Sequence, residues 1–315
     1  MNTLGYLGPQ GSHSHQAIAT LLGYLPNSVA FALQPQPTLA CLLTAIEQGE
    51  VSAGLLPYEN ALEGSVMEVL QALGTGQRQL FVHAEFLQPI RHALVQHHAG
   101  EAVTQVYSHP MALAQCRQTL LATFGDTLTF HATASTSEAV SLLAQLPPHQ
   151  AQGMAALATT TAAEAAGLAI THPDMSDAPH NVTRFMVVTN QPAWPTHLFG
   201  QRPTPDPCPP VVLAQPYAEA CPLVLEKCSI CFSLPEYPGT LMKYLELFYA
   251  FQVNLSKLES RPKRTQMGDY YFFVDCEGDI TTVGKGLLFQ QLTRQASSFH
   301  CQGPYLHWVQ GNASC

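Results

Sequence analysis

The first 190 residues repeat one pattern that constrains the fold more than any other feature of the chain. A short apolar strand ends in hydroxyl, amide or glycine residues, and an amphipathic helix follows at once. The pattern occurs at least five times, with helices that begin in GPQGSHSHQAIATLL, ALEGSVMEVLQAL, MALAQCRQTLL, STSEAVSLLAQL and TTTAAEAAGL. Strands that alternate with helices predict parallel, doubly wound sheets, whose ligand crevice lies at the carboxyl ends of the strands.

The charge distribution limits what this crevice can bind. Residues 1–190 contain twelve acidic and four basic residues, and all five lysines lie at position 227 or beyond, which argues against a nucleic-acid partner. The crevice should be lined by backbone N–H groups, hydroxyls and amides, which bind anions at helix N-termini. GPQGS lacks the lysine of a P-loop and differs from the dinucleotide fingerprint, so a small carboxylate fits better than a phosphate.

Three other features of the sequence predict a cytoplasmic protein. MNTLGYLGPQGSHSHQ has no basic residue and reaches a Gly-Pro turn almost at once, unlike a secretory signal. No apolar run approaches the roughly 18 to 20 residues of a membrane span. Nine cysteines, an odd number, suit free thiols in a reducing compartment, so the glycosylation sequon at Asn181 is interpreted as a chance match.

Composition divides the chain into three parts. Residues 191–222 hold nine of the 24 prolines and predict a semi-rigid linker that is extended where the prolines cluster. Residues 1–190 form the predicted α/β region, and residues 223–315 balance eight acidic against eight basic residues. The last part is predicted as strand, helix, strand, strand, helix and strand at 226–234, 240–250, 253–260, 270–275, 284–296 and 305–309.

This βαββαβ order predicts a ferredoxin-like unit. Its first strand contains a C-x-x-C pair, Cys228 and Cys231, which could suggest a metal site or a disulfide. Strand alternation sends the two thiols to opposite faces, so a shared metal or a disulfide is not expected.

Polar residues at strand ends and helix starts are the candidates for the site. Asn60 ends the strand LLPYEN, and Ser108 lies seven residues before Gln115, about two helical turns, so a capping serine and the glutamine share one face. Alternation in NVTRFMVV sends Thr183 to one face and Arg184 to the other unless a bulge turns them together. Each also has a purely structural interpretation, as a helix cap, a turn residue or a β-former.

Together, LLPYENALEGSV, YSHPMALAQC, AALATTTAAEAAGL and NVTRF, in this order and spacing, resemble the prephenate dehydratase family. The resemblance covers nearly the whole chain. It implies two α/β subdomains, the second roughly at residues 88–175, with the site in the cleft between them, similar to type 2 periplasmic binding proteins. Thr183 then matches the essential threonine, and the substrate-binding positions are matched by Asn60, Ser108, Gln115, Arg184 and Phe185.

The resemblance also implies a reaction that needs neither a metal nor an organic cofactor. Prephenate, a dicarboxylate, loses CO2 and water, and aromatisation of its ring supplies the driving force. Thr183 would donate or relay a hydrogen bond to the departing hydroxyl, because a threonine hydroxyl is too weak an acid to give up a full proton cheaply. His109, His13 and Glu63 are possible proton sources behind it.

The C-terminal part resembles an ACT regulatory domain, because YPGTLMKYL and LESRP are similar to the motifs through which such domains bind phenylalanine between subunits. The resemblance implies feedback regulation by phenylalanine. A homodimer or homotetramer is expected, since an isolated sheet of this kind has exposed edges and one open face. The predicted effector site consists of Gly239, Thr240, Leu241, Asn254, Glu259, Ser260, Arg261 and Pro262.

Two other functions stay open at the level of sequence. An arogenate dehydratase would perform the same chemistry on a substrate whose amino group replaces the keto oxygen. A non-catalytic amino-acid sensor would also use ligand-binding folds in both halves, although it would have little need of Thr183. Neither nucleic acid nor a membrane is an expected partner.

Overall fold

The computed structural model describes residues 2–25, 30–202, 223–265, 267–282 and 284–309. Two β-sheets, one of ten strands and one of five, organise these residues. Within the described ranges, no helix is both long enough and apolar enough to cross a membrane.

The first α/β unit begins the larger sheet. Its elements are β1 (Asn2–Leu7), α1 (His13–Tyr24), β2 (Phe31–Gln36), α2 (Leu39–Glu47), β3 (Ala53–Asn60), β4 (Gly64–Ser65), α3 (Met67–Gly74) and β5 (Phe81–Pro89). β1 pairs in parallel with β2 and β3, as the alternation of strands and helices predicts. The two-residue strand β4 folds back against the end of β3.

The second α/β unit surrounds the smaller sheet. Its elements are β6 (Ala93–Gln96), β7 (Gln105–Ser108), α4 (Pro110–Gln115), α5 (Arg117–Phe124), β8 (Thr129–Ala132), α6 (Thr136–Gln145), β9 (Met154–Ala158), α7 (Thr160–Ala166) and β10 (Ala169–His172). The strand order is β10-β6-β9-β7-β8, with parallel pairing around β7 and antiparallel pairing at β6.

The chain then returns to the first unit through β11 (Val182–Thr189), which lies antiparallel between β3 and β5. The larger sheet is therefore mixed rather than wholly parallel. This strand brings the N-x-T-R-F segment beside the end of β3, because Thr183 is paired with Asn60.

The C-terminal unit has the predicted βαββαβ order. Its elements are β12 (Leu223–Ser233), α9 (Thr240–Ala250), β13 (Leu255–Pro262), β14 (Tyr270–Glu277), α10 (Gly286–Gln295) and β15 (Ser298–Val309). The strand order β13-β14-β12-β15 is ferredoxin-like, so this prediction is confirmed. The last strand begins at Ser298 rather than 305, and a register shift opposite Cys228 accommodates Gly303 and Pro304 within it.

The beginning of the predicted linker is folded. Residues 203–222 lie outside the described residues, but α8 (Thr196–Phe199) precedes them. Leu198 and Phe199 are buried in the core beneath α1, and Trp194 packs against them. Residues 194–199 precede the proline cluster and are folded, because Trp194, Leu198 and Phe199 pack into this core. The prediction of an extended segment where the prolines cluster falls on residues 203–222, outside the described residues.

Two contacts join the C-terminal unit to the first α/β unit, one at an edge of its sheet and one on a face of its sheet. β15 pairs in parallel with β5, which makes one continuous sheet. α3 covers the face of the C-terminal sheet that α9 and α10 leave open, with Phe273 and Tyr305 in the shared core. A Cβ atom added at Gly74 would lie 2.5 Å from the ring of Phe273, so the close approach requires glycine there.

The two cysteines of the C-x-x-C pair confirm the alternation of β12. Cys228 is buried in the core of the C-terminal unit, whereas Cys231 is buried in the core shared with α3. Both thiols are free.

Candidate active site

An open cleft of about 520 Å³ lies between the two α/β units. The first unit contributes the turn after β1, the start of α1, the end of β3 and the start of β11, and the second contributes α4 and the start of α6. The polar residues of the lining are Ser12, His13, Ser14, Asn60, Glu63, His92, His109, Gln115, Ser135, Thr136, Asn181 and Thr183.

Helix N-termini give this cleft its electrostatic character. The hydroxyl of Ser12 caps α1 by accepting from His15 N at 3.3 Å, and that of Ser135 caps α6 by accepting from Glu138 N at 3.0 Å. Free N–H groups at such termini attract anions. The lining residues found in the described ranges include neither lysine nor arginine. The hydroxyls, amides and helix N-termini of this lining match the crevice that the sequence predicts.

A hydrogen-bond network fixes the direction of the Thr183 hydroxyl. The Asn60 side-chain oxygen accepts from Leu62 N and Glu63 N at 2.9 and 3.0 Å, so its NH2 group faces the other way. This NH2 donates to Thr183 Oγ1 at 2.9 Å and to Asn181 Oδ1 at 2.9 Å. Because Thr183 Oγ1 is the acceptor here, its own hydrogen remains available to a ligand in the cleft.

Gln115 joins the second unit to this network. Its side-chain NH2 donates to Glu63 Oε1 at 3.1 Å, which leaves its oxygen to accept from Asn181 Nδ2 at 3.4 Å and His92 Nε2 at 3.1 Å. The structure thus brings Asn60, Gln115 and Thr183 together. No role was predicted for Asn181 or His92, although Asn181 opens the N-x-T-R-F segment.

Two predicted substrate-binding residues lie elsewhere. Ser108 is fully buried at the end of β7, where its hydroxyl donates to Leu157 O at 2.9 Å. It does not cap α4, because His109 takes that position. Arg184 points to the opposite side of β11 from the cleft, as the alternation of the strand requires. The predictions for Ser108 and Arg184 are therefore wrong, whereas Phe185 lines the cleft wall and stacks on Phe86.

Arg184 is instead the centre of a buried ion network between the first α/β unit and the C-terminal unit. Its guanidinium pairs with Glu85 of β5 and Asp275 of β14 and donates to Tyr305 Oη at 3.0 Å. Lys227 binds the second oxygen of Glu85 at 2.9 Å. Although burial opposes ionisation of Glu85, Arg184 and the neighbouring bases hold the pKa of this carboxyl well below its usual range.

The predicted effector residues occupy two ends of the C-terminal unit. Gly239 caps α9 in the left-handed conformation at a φ of 83°, and Thr240 and Leu241 follow it in the first turn of the helix. β13 begins after the last turn of α9 and runs back toward its first turn. Ser260 and Pro262, at the end of β13, therefore lie on the same side of the unit as Gly239. Asn254 follows the last turn of α9, roughly 16 Å from Gly239 along an 11-residue helix.

Glu259 and Arg261 face the first α/β unit. Glu259 accepts a hydrogen bond of 2.5 Å from the Ser65 hydroxyl and pairs with Arg261, and Lys257 beside them binds Glu59 at 3.1 Å. These contacts connect β13 to the segment that carries Asn60 and Glu63. Within one chain, the eight residues therefore do not form a single pocket.

The fold and the cleft define a class: two α/β units with a cation-poor cleft suited to a small organic anion, followed by a ferredoxin-like unit. The family model of prephenate dehydratase matches residues 4–193. The chain belongs to the prephenate dehydratase family.

Named relatives agree with this assignment. The chain is 30% identical over 276 residues to a bifunctional chorismate mutase/prephenate dehydratase of Aquifex aeolicus. This alignment covers 87% of this chain and 65% of that protein. It is 30% identical over 290 residues to the prephenate dehydratase of Mycolicibacterium smegmatis, covering 89% and 82% of the two chains. The structure of the prephenate dehydratase of Arthrobacter aurescens in complex with L-Phe superposes with a TM-score of 0.76 at 26% identity, covering 99% and 91%.

Proposed function

We propose that the chain converts prephenate to phenylpyruvate, with loss of CO2 and water, in phenylalanine biosynthesis. The observation that carries the proposal is the Thr183 hydroxyl, whose hydrogen is free because Asn60 occupies its oxygen. The hydroxyl lies in a cleft where helix N-termini, rather than lysine or arginine side chains, offer positive charge.

The chemistry of prephenate fits this arrangement. The reaction takes a dianion and one proton to a monoanion, CO2 and water. The electron pair of the breaking C–COO⁻ bond enters the ring as the C–O bond to the ring hydroxyl breaks. Thr183 would donate its hydrogen bond to that departing oxygen, and the Asn60 N–H would stabilise charge that develops on Thr183 Oγ1. A cation-poor cleft holds the departing carboxylate without a tight salt bridge that would oppose its loss.

Turnover of the purified protein tests the proposal. The protein is incubated separately with prephenate and arogenate, with no added metal or nucleotide and with a chelator present. We expect phenylpyruvate from prephenate at an undiminished rate in chelator. Preference for arogenate would assign the alternative substrate, binding without turnover of either would assign a sensor, and metal-dependent recovery after chelation would contradict a cofactor-free reaction.

Regulation by phenylalanine is proposed for the C-terminal unit. The Arthrobacter aurescens structure is of a complex with L-Phe, and the present chain has a glycine-led helix N-terminus at Gly239 to receive a carboxylate. Since Asn254 lies at the far end of α9, a pocket that uses both residues requires the Asn254 of a second copy. The effector site therefore favours a homodimer or a larger even-numbered assembly.

A cytoplasmic location is proposed from the thiols. The six cysteines of the described residues are all free, and four of them are buried: Cys116, Cys228, Cys231 and Cys276. Free buried thiols suit a reducing compartment.

A further inference from the structure

His13 is the first residue of α1, and its ring lies in the wall of the cleft. Both of its ring nitrogens are buried, and neither has a partner at normal hydrogen-bonding distance and angle among the described residues. The Gln16 side chain one turn along is a polar neighbour, and its oxygen is unpaired as well. Buried polar side-chain atoms nearly always have partners. A partly buried imidazole in the cleft wall with neither nitrogen paired is therefore a candidate to form a hydrogen bond with a ligand.

The neighbouring His92 strengthens this interpretation. The two rings meet edge to face, with centroids 5.0 Å apart and planes at 87°. His92 Nε2 faces the side-chain oxygen of Gln115, so in its neutral form it carries its hydrogen on Nε2 and leaves Nδ1 as an acceptor. That Nδ1 also makes no protein hydrogen bond in the described residues. Three imidazole nitrogens thus remain unpaired around one part of the cleft.

The charge state of the pair is decided by its surroundings. Burial, and then the proximity of His92, lower the pKa of His13 to about 3, and Gln16 one turn along offsets only part of this. Burial also lowers the pKa of His92. At neutral pH both rings are uncharged, so His13 offers one N–H donor and one acceptor rather than a positive charge.

We propose that His13 is a further substrate-binding residue, which donates a neutral N–H hydrogen bond to a carboxylate oxygen held at the N-terminus of α1. The inference deepens the proposed function and rests on it. A neutral donor binds one oxygen of the dianion and adds no cation that would hold back the departing carboxylate. His92 positions the His13 ring through the edge-to-face contact and is itself fixed by Gln115.

The test removes the nitrogens but keeps the ring. His13→Phe should lower kcat/KM for prephenate by about 10- to 100-fold, mainly through KM, because a hydrogen bond to a charged oxygen is lost. The same defect is expected from pH 5 to 8, since His13 is already neutral across that range. His13→Asn and His13→Gln each restore an N–H donor, at the positions of Nδ1 and Nε2 respectively, and one of them should recover most of the loss.

His131→Phe is the matched control, because His131 stacks on Tyr107 away from the cleft lining. Stabilisation of each variant by prephenate in thermal unfolding measures binding independently of turnover. Equal kcat/KM and equal stabilisation in His13→Phe and His131→Phe would overturn the inference, as would a defect confined to low pH or one that neither amide rescues. If the wild type binds prephenate without turning it over, the proposed function fails, and the comparison of binding still decides the role of His13.

Discussion

At the scale of single residues, two consecutive side chains of β11 face the cleft and the interior of the protein. Thr183 faces the cleft, and the next residue, Arg184, carries the ion network that holds the C-terminal unit. Strand alternation alone places the two side chains on opposite faces, where they have different partners. Substitutions at these neighbours should therefore fail in different ways.

Thr183→Ala should lose at least ~10²-fold in kcat, because the hydroxyl that would donate to the leaving oxygen is removed. The protein should fold normally, since the Asn60 NH2 loses its bond to Thr183 Oγ1 but keeps its bond to Asn181 Oδ1. Thr183→Ser keeps the hydroxyl and should retain most of the activity. Steady-state kinetics with prephenate and the midpoint of thermal unfolding measure the two effects.

Asn60→Asp checks the direction of the hydroxyl. The aspartate would accept the hydrogen of Thr183 instead of donating to its oxygen, so activity should fall although the hydroxyl is present. Normal turnover in Thr183→Ala, or in Asn60→Asp, would move the donor to another residue.

Arg184→Met should destabilise the protein by about 3 to 5 kcal/mol, because it leaves Glu85 and Asp275 buried without their partner. Denaturant unfolding measures the loss. Arg294→Met, on the exposed face of α10, is the control and should change stability by less than about 0.5 kcal/mol. A substrate-binding Arg184 would show the reverse, with normal stability and a raised KM.

At the scale of elements, the start of α9 is the part of the predicted effector site that the structure presents as a unit. Gly239 has a φ of 83°, and a Cβ atom there would meet nothing within 4 Å. A side chain at this position strains the turn and occupies the approach to the helix N-terminus without disturbing the core.

Gly239→Val should therefore abolish most of the response to phenylalanine. In the wild type we expect inhibition, with a coupling of about 1 to 3 kcal/mol, which corresponds to a 5- to 150-fold change in substrate affinity. Titration of phenylalanine against prephenate turnover measures the effect. Gly125→Val is the matched control, because Gly125 has a φ of 87°, has equally open surroundings and lies at the end of α5. Equal responses in the wild type and Gly239→Val would remove this site.

At the scale of the whole molecule, the C-terminal unit is part of the main sheet rather than an appended domain. Pairing of β15 with β5 covers one edge of its sheet, and α3 covers the face that was expected to be open. The same chain therefore supplies much of the cover that was expected from a second copy, and the edge at β13 is left unpaired among the described strands of this unit. A dimer stays a prediction that now rests mainly on the proposed effector pocket between two copies, and sedimentation with and without phenylalanine measures it.

Stability should fall as the pH drops below about 6.5. Burial lowers the pKa of His13 to about 3 and that of His83 to about 4, so the unfolded chain binds protons that the folded chain does not. The slope is about 1.4 kcal/mol per pH unit for each such proton. The depressed pKa of Glu85 adds a further loss only below about pH 4.5, where the unfolded carboxyl is protonated.

Chemical denaturation between pH 7 and 4.5 measures this slope. His13→Phe should reduce it by up to one proton equivalent. A slope that is the same in wild type and His13→Phe would show that His13 titrates normally in the folded protein.

The sequence by itself determined what depends on neighbours along the chain. The alternation of strands and helices, the βαββαβ order and the opposite faces of Thr183 and Arg184 all follow from periods of 2 and 3.6 residues. These periods do not encode which strand ends meet. The bond from Asn60 to Asn181 spans 121 positions, and the edge pairing of β15 with β5 spans more than 200. Only the tertiary structure placed Gln115 and His92 beside Asn181, buried the Ser108 hydroxyl against Leu157 O and set Arg184 between two units. Such contacts form where distant surfaces pack, because the polar atoms buried there require partners.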